Sequence, residues 1–234
     1  MKVELISYSN LGEKVCGIAS KTCVSENIPD VNDNVMKSLR SAIGSGHEAV
    51  LEHWSATFAV SGVSRALTHQ LVRHRLCSFS QQSQRYVDMD GFDYVVPESI
   101  LNHPDSLEQF KWGINVIQKV YKTLLAYGID MEDARYILPN ACTTNIIVTM
   151  NARELRHFFA LRCCNRAQKE IRELADKMLE LVKEVAPTIF ENAGPSCVQA
   201  GYCPEGKRSC GRAMTLEKML DIVDEQKTAE GGRH

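Results

Sequence analysis

Between Arg73 and Tyr86 the chain reads Arg-His-Arg-Leu-Cys-Ser-Phe-Ser-Gln-Gln-Ser-Gln-Arg-Tyr. Three adjacent side chains that can carry positive charge, Arg73, His74 and Arg75, are followed by hydroxyls and amides and then by Arg85. Guanidinium forks match phosphate oxygens two at a time, and Ser and Gln supply directional donors and acceptors. Such a run suits an anion that carries a polar ring. Most Arg-His-Arg triplets are solvated basic patches. Here the apolar pair Leu71-Val72 precedes the triplet, and no Asp or Glu occurs from Leu67 to Val87. That pattern points to a cationic pocket.

Other chemistry-bearing residues read less strongly. His47 and His53 each lie beside an acid, Glu48 and Glu52, but the spacing and the missing third ligand argue against a metal. Ser83 would need an adjacent base to act as a nucleophile, and only His74 is local. The nine cysteines are an odd number, and no context around them argues for a nucleophile. Cys197, Cys203 and Cys210 sit in a Gly/Pro/Cys-rich tail without the paired Cys-x2-Cys knuckles of common zinc sites. They read first as reduced structural thiols, with a metal site or a redox role as the lesser reading.

The elements that must position these residues follow from periodicity and caps. The opening segment to about Ile6 reads as a strand. Val35, Leu39 and Ile43 give helical spacing over about 31–43, ending at Gly44-Ser45-Gly46. Thr57 to Val63 alternates as a half-buried strand does. Ser64 caps a helix expected to reach about Arg75, which makes the Ser/Gln run the loop that follows. Arg85–Val87 and Phe92–Val96 read as short strands. Asp105 with Glu108 resembles a capping box that opens a long helix ending near Gly128. Residues 131–138 form a short helix stopped by Pro139, and Thr143–Met150 is a β-branched strand. Asn151 caps a helix with Glu154 at its third position, and helical character continues to about Val185 with a break near Cys163–Asn165. Leu216, Met219, Leu220 and Val223 define a last amphipathic helix before a disordered terminus, Gly231–His234. Strands interleaved with long helices, without a Gly-rich dinucleotide turn, indicate an α+β fold.

The bulk properties bound the partners. A length of 234 residues, 44% hydrophobic and 24% charged, is ordinary for a soluble globular protein. A net charge of -2 gives no case for generic nucleic-acid binding. The N-terminus lacks a signal-peptide core and no stretch reaches membrane-spanning length, so free thiols in a reducing cytoplasm are expected.

Arg73-His74-Arg75, seven residues and then Ser83 resemble the signature of the flavin-dependent thymidylate synthases, the ThyX family. Gly46-His47-Glu48 with Glu52-His53, Ser64-Arg65-Ala66 with Gln70, and Arg135-Tyr136-Ile137-Leu138-Pro139 resemble further family elements, in order. Asn151-Ala152-Arg153, Leu161-Arg162 and Ala167-Gln168-x-Glu170-Ile171 resemble its C-terminal helices. The matches span about residues 1–190. The resemblance implies a ThyX-type fold with a central, mostly antiparallel sheet flanked by long helices, in an obligate homotetramer with intersubunit active sites. It implies a synthase domain over 1–192 and a Cys-rich extension over 193–234. The implied reaction makes dTMP from dUMP, with 5,10-methylenetetrahydrofolate as carbon donor and FAD, reduced by NADPH, as hydride source.

The resemblance also implies roles. Arg73, His74, Arg75 and Gln81 face the flavin, as do His47, Ala49, Glu52, Asn151, Arg153 and His157. Gln70, Arg73, Ser83, Gln84, Arg85, Arg135 and Arg162 face dUMP, and Arg162 is the catalytic candidate because a guanidinium at the uracil edge favours the N3-deprotonated ring. Spacing alone gives plainer readings: Asn151 as an N-cap, His157 as a core histidine, Arg135 paired with Glu132 and Arg162 with Glu170. The chain departs from the familiar pattern at Gln81, where Glu is frequent, at Ala49, where a hydroxyl is frequent, and at Arg166, where His is common. A flavoprotein NADPH oxidase or reductase without methyl transfer, and a nucleotide- or RNA-binding protein, are the competing readings.

Overall fold

Phe58, Val60, Ile146, Val148 and Met150 are buried at every second position of two strands, and this alternation builds the sheet. The computed structural model describes residues 1–31 and 33–222. Two compact units divide the chain, one from 1–8 and 56–150, the other from 9–55 and the chain from 151 onward. Strands β1 (Lys2–Tyr8), β2 (Ser55–Ser64), β3 (Cys77–Gln81) and β4 (Thr143–Asn151) form one sheet in the order β1-β2-β4-β3. β1 runs antiparallel to β2 with Leu5 opposite Phe58, and β3 antiparallel to β4 with Cys77 opposite Met150 and Gln81 opposite Ile146. In chain order the helices are α1 (Gly12–Thr22), α2 (Asp33–Gly44), α3 (Arg65–Leu71), α4 (Glu98–Leu101) and α5 (Pro104–Ala126). Then come α6 (Met131–Ala134), α7 (Ala152–Arg162), α8 (Lys169–Val185), α9 (Pro187–Phe190) and α10 (Ser196–Ala200). The fold is α+β.

In the first unit, Met89, Phe92, Ile114, Tyr121, Ala134 and Cys142 form a core cluster beneath α5. The Tyr121 hydroxyl is satisfied by the Met89 N–H at 3.3 Å. Ser64 caps α3 by accepting from the Leu67 N–H at 3.0 Å. In the second unit, two glycines let α1 close on its neighbours. A Cβ on Gly12 would lie 2.2 Å from the Trp54 ring, and one on Gly17 2.5 Å from the Val35 carbonyl oxygen. Trp54 meets Phe190 edge-on at 5.3 Å, and Phe190 meets Phe159 at 6.0 Å. Asn151 caps α7, accepting from the Glu154 N–H at 2.8 Å.

Several expectations are corrected. The Ser/Gln run is not wholly a loop, because Cys77–Gln81 is an edge strand whose half-buried Cys77, Phe79 and Gln81 alternate with exposed serines. The triplet Arg73–Arg75 follows α3 in a turn instead of closing the helix. Arg85–Val87 is a turn, its Val87 N–H returning to the Ser83 carbonyl at 3.1 Å. Phe92–Val96 pairs only through a Tyr94–Cys142 bridge, since Phe92 turns into the core. α5 is capped by His103, which accepts from the Ser106 N–H, because Pro104 takes the first helical position, where no donor is needed. α1 was not anticipated. The last helix covers 216–222, while Val223 and Gly231–His234 lie outside the described residues. Among the described residues no helix is long and apolar enough to cross a membrane.

Candidate functional site

The first unit collects the residues expected at the nucleotide except Arg162, which lies in the second. Arg73 and Arg75 are exposed while His74 between them is 5% exposed, so the triplet presents two guanidiniums on a buried imidazole. Gln70 stands one turn earlier, half-buried at the end of α3. Gln81 donates from Nε2 to the Thr68 and Thr144 hydroxyls at 2.9 and 3.3 Å, which ties β3 to α3 and β4. The backbone then turns: Arg85 N–H donates to the Ser83 hydroxyl at 3.2 Å, and Gln84 Nε2 lies 3.9 Å from the Cys142 sulfur. Arg85 and Arg135 meet at Glu132. Arg85 Nε and Nη2 contact the Glu132 carboxylate at 2.7 and 2.6 Å, while Arg135 Nε donates to the Glu132 carbonyl at 3.0 Å. The Glu132 carboxylate thus pairs with Arg85, not with Arg135 as spacing alone suggested.

The second unit collects most residues expected at the flavin. His47 precedes the 3-10 segment Glu48–His53, within which Ala49 lies. Both lie, with Arg153, on the wall of a cleft of about 670 Å³ that also carries the hydroxyls of Ser20, Ser38, Ser41 and Ser45. The turn is clamped to α7 by two acid–base pairs one helical turn apart. Glu52 Oε1 accepts from Arg153 Nη1 at 2.6 Å, and Glu48 Oε1 from Arg156 Nε at 2.9 Å. Arg156 is 6% exposed and also donates to the Ile189 carbonyl at 2.8 Å. His157 is exposed on α7, and its charge opposes the upward shift that burial imposes on the Glu154 carboxyl. The wall combines apolar surface from Val24, Ala42 and Val50 with serine hydroxyls, His47, Arg153 and the Glu48 carboxylate, a mixture that can take a ring system and its polar edges.

Arg162 ends α7. It is half-buried, and desolvation lowers its pKa from the ordinary guanidinium value, so its charge acts in a medium that screens it weakly. It lines a cavity of about 290 Å³ with Cys164, Arg166, Cys197, Cys203 and Cys210. Among the described residues, no group of three or more His, Cys, Asp or Glu could hold a metal ion.

Residues 4–188 match the family model described as thymidylate synthase complementing protein. Over 228 residues the chain is 47% identical to the flavin-dependent thymidylate synthase of Geobacter sulfurreducens, covering 94% of this chain and 98% of that one. This chain belongs to the flavin-dependent thymidylate synthase family. It is also 46% identical to the flavin-dependent thymidylate synthase of Clostridium tetani over 241 residues, 94% of this chain and 96% of that one. A UMP/dUMP methylase, PolB, from Streptomyces cacaoi, solved with 5-Br dUMP, superposes with a TM-score of 0.72 at 26% identity. That likeness covers 81% of this chain and 93% of the other.

Two features of this flavin-dependent thymidylate synthase family member were not assigned from sequence. Arg65 was visible only as part of a motif. Its Nη2 donates to the Gln82 carbonyl at 2.8 Å, its buried Nε has no hydrogen-bond partner, and burial lowers its pKa. It braces the Ser83–Arg85 turn from behind. The Glu48–Arg156 clamp was missed because its partners lie 108 residues apart. Among the departures, Arg166 pairs with Glu205 of the C-terminal tail.

Proposed function

We propose that this chain catalyses the reductive methylation of dUMP to dTMP with 5,10-methylenetetrahydrofolate as carbon donor, the activity carried by its family. The donor set fits FAD. The cleft beside His47 and Arg153 is roomy and lined by serine hydroxyls, and the Arg73–Arg75 triplet has no acid for several residues on either side. FAD, when bound and reduced by NADPH, supplies the hydride. Arg73, His74, Arg75, Gln81, His47, Ala49, Glu52, Asn151, Arg153 and His157 would hold it. Arg85 and Arg135, brought together at Glu132, take the dUMP phosphate, and Gln70, Arg73, Ser83 and Gln84 orient base and ribose.

The observation that carries the mechanism is Arg162, a half-buried cation at a helix end. It stabilises the uracil ring deprotonated at N3, which raises the nucleophilicity of C5. A preorganised cation facing developing negative charge contributes roughly 10²–10³ in rate. Ser83 binds and does not attack. The working protein is a cytoplasmic homotetramer whose sites draw residues from several subunits.

The experiment is dTMP formation from dUMP, methylenetetrahydrofolate and NADPH, with and without added FAD. Flavin-dependent dTMP is expected, and Arg162→Ala should lower kcat by roughly 10²-fold or more with flavin still bound. NADPH oxidation without dTMP would overturn the synthase reading and leave a flavin reductase.

A further inference from the structure

Cys164, Cys197, Cys203 and Cys210 line a single cavity, the one whose wall carries Arg162. Cys164 comes from the corner between α7 and α8, the other three from α10 and the tail behind it. Polar contacts pin the tail to that corner. Arg212 donates to the Cys163 carbonyl at 3.2 Å and to Asn165 Oδ1 at 2.6 Å, and Glu205 pairs with Arg166. Asn165 Nδ2 reaches the Cys210 sulfur at 3.5 Å.

The four thiols differ in environment. Cys203 is 7% exposed, Cys164 and Cys197 are half-exposed, and Cys210 is exposed. The Cys210 sulfur accepts from the Arg212 backbone N–H and the Asn165 amide, with the Arg212 charge nearby, and these hold its pKa below the ordinary thiol value. Thiolate character and exposure are the attributes of an oxidisable cysteine. Among the described residues, no three of these side chains are placed to share a metal ion.

We propose that this cavity is a peroxide-responsive thiol site in which Cys210 is oxidised first and then closes a disulfide with Cys164 or Cys197. The Cys210 thiolate attacks hydrogen peroxide; an S–O bond forms as the O–O bond breaks, giving a sulfenic acid and hydroxide, which takes a proton to become water. The second thiol attacks the sulfenic sulfur, an S–S bond forms, and a second water leaves. Two thiols lose two electrons and peroxide gains them. The tail is tied back on itself where Cys203 bridges Thr215, and between the short 3-10 turn and Met214 it is irregular, so the stretch around Cys210 supplies the movement that brings the Cα atoms into disulfide range. Closure draws the tail onto the cavity wall and fixes Arg162. This last step rests on the role proposed above for Arg162.

Full-length reduced protein is treated with hydrogen peroxide, its remaining thiols are alkylated, and disulfides are mapped by mass spectrometry without reduction. A Cys210–Cys164 or Cys210–Cys197 linkage is expected, reversed by dithiothreitol and absent in Cys210→Ser. A peroxide-induced disulfide among the remaining cysteines of that variant, or one in the parent that leaves Cys210 reduced, overturns the proposal. The double variant Cys164→Ser/Cys197→Ser keeps Cys210 intact and should stop at the sulfenic acid, trapped by dimedone; a disulfide to another cysteine overturns it. dTMP formation should fall several-fold on oxidation of the wild type and hold steady in Cys210→Ser. Mapping needs no activity, so a disulfide without loss of rate refutes only the step through Arg162.

Discussion

At the level of single residues, several groups of the proposed site already have protein partners that would compete with its ligands. Arg85 is the clearest case. Glu132 takes two of its nitrogens, and both side chains are about half exposed, at 49% and 47%. An exposed pair of this kind is worth less than about 1 kcal/mol. If Arg85 must turn to phosphate, removing the carboxylate removes a competitor. Glu132→Gln should tighten dUMP by up to about fivefold in calorimetry. Weaker binding would mean that Glu132 aims Arg85 instead. Buried thiols give a second residue-scale prediction. Burial raises Cys16 to about 12 and Cys142 to about 11. An unfolded thiol titrates near 8.5, so above that pH the unfolded chain loses protons that the folded one keeps. Stability is therefore full below about pH 8.5 and falls as pH rises toward the folded values. Urea midpoints measured from pH 8 to 10.5 should decline, and Cys16→Ala should flatten part of that decline. A midpoint independent of pH across that window would show that these thiols ionise as freely in the fold as out of it.

At the level of elements, what was legible depended on whether an element announces itself locally. Ser64 and Asn151 are local signals, a short polar side chain before a periodic run, and both cap the helices they foretold. The alternation in β2 and β4 was equally plain. β3 was not, because a serine- and glutamine-rich edge strand carries little apolar signal, and its pairing with β4 spans about seventy residues of sequence. α1 was not, because Gly12 and Gly17 weaken its propensity and are required only by Trp54 and Val35. The clamp between the Glu48–His53 turn and α7 is of the same long-range kind, and its two halves should behave differently. Arg156 is buried, so Glu48→Gln leaves a desolvated guanidinium short of its charge partner and should cost about 1–3 kcal/mol in urea unfolding. The Glu52–Arg153 pair is about half exposed, and Glu52→Gln should stay within about 1 kcal/mol of the parent. Flavin affinity should respond in the opposite order, because Glu52 and Arg153 are the pair proposed at the cofactor. Equal destabilisation by the two variants would sink the distinction.

At the level of the whole molecule, the residues proposed for one reaction are divided between two units of the chain. Gln70, Ser83, Gln84, Arg85 and Arg135 belong to the first, and His47, Arg153 and Arg162 to the second. Sequence motifs nominate both sets, since family resemblance follows residue order, but order along a chain does not say whether one subunit or several complete a site. In a closed homo-oligomer a site built across an interface repeats identically at each copy. Under the intersubunit sites proposed above, each subunit would give its first-unit residues to one site and its second-unit residues to another. This makes a mixing experiment decisive. Arg85→Ala and Arg162→Ala should each be nearly inactive alone. Dissociated together and reassembled, they form mixed oligomers in which some sites receive Arg85 from one variant and Arg162 from the other. Random mixing should restore about one quarter of parental activity if each site takes these two residues from different chains. Sites completed within a single chain would leave every mixture as inactive as its components. Recovery of dTMP formation in the mixture, read alongside an unchanged oligomer mass, would establish shared sites without any further structure.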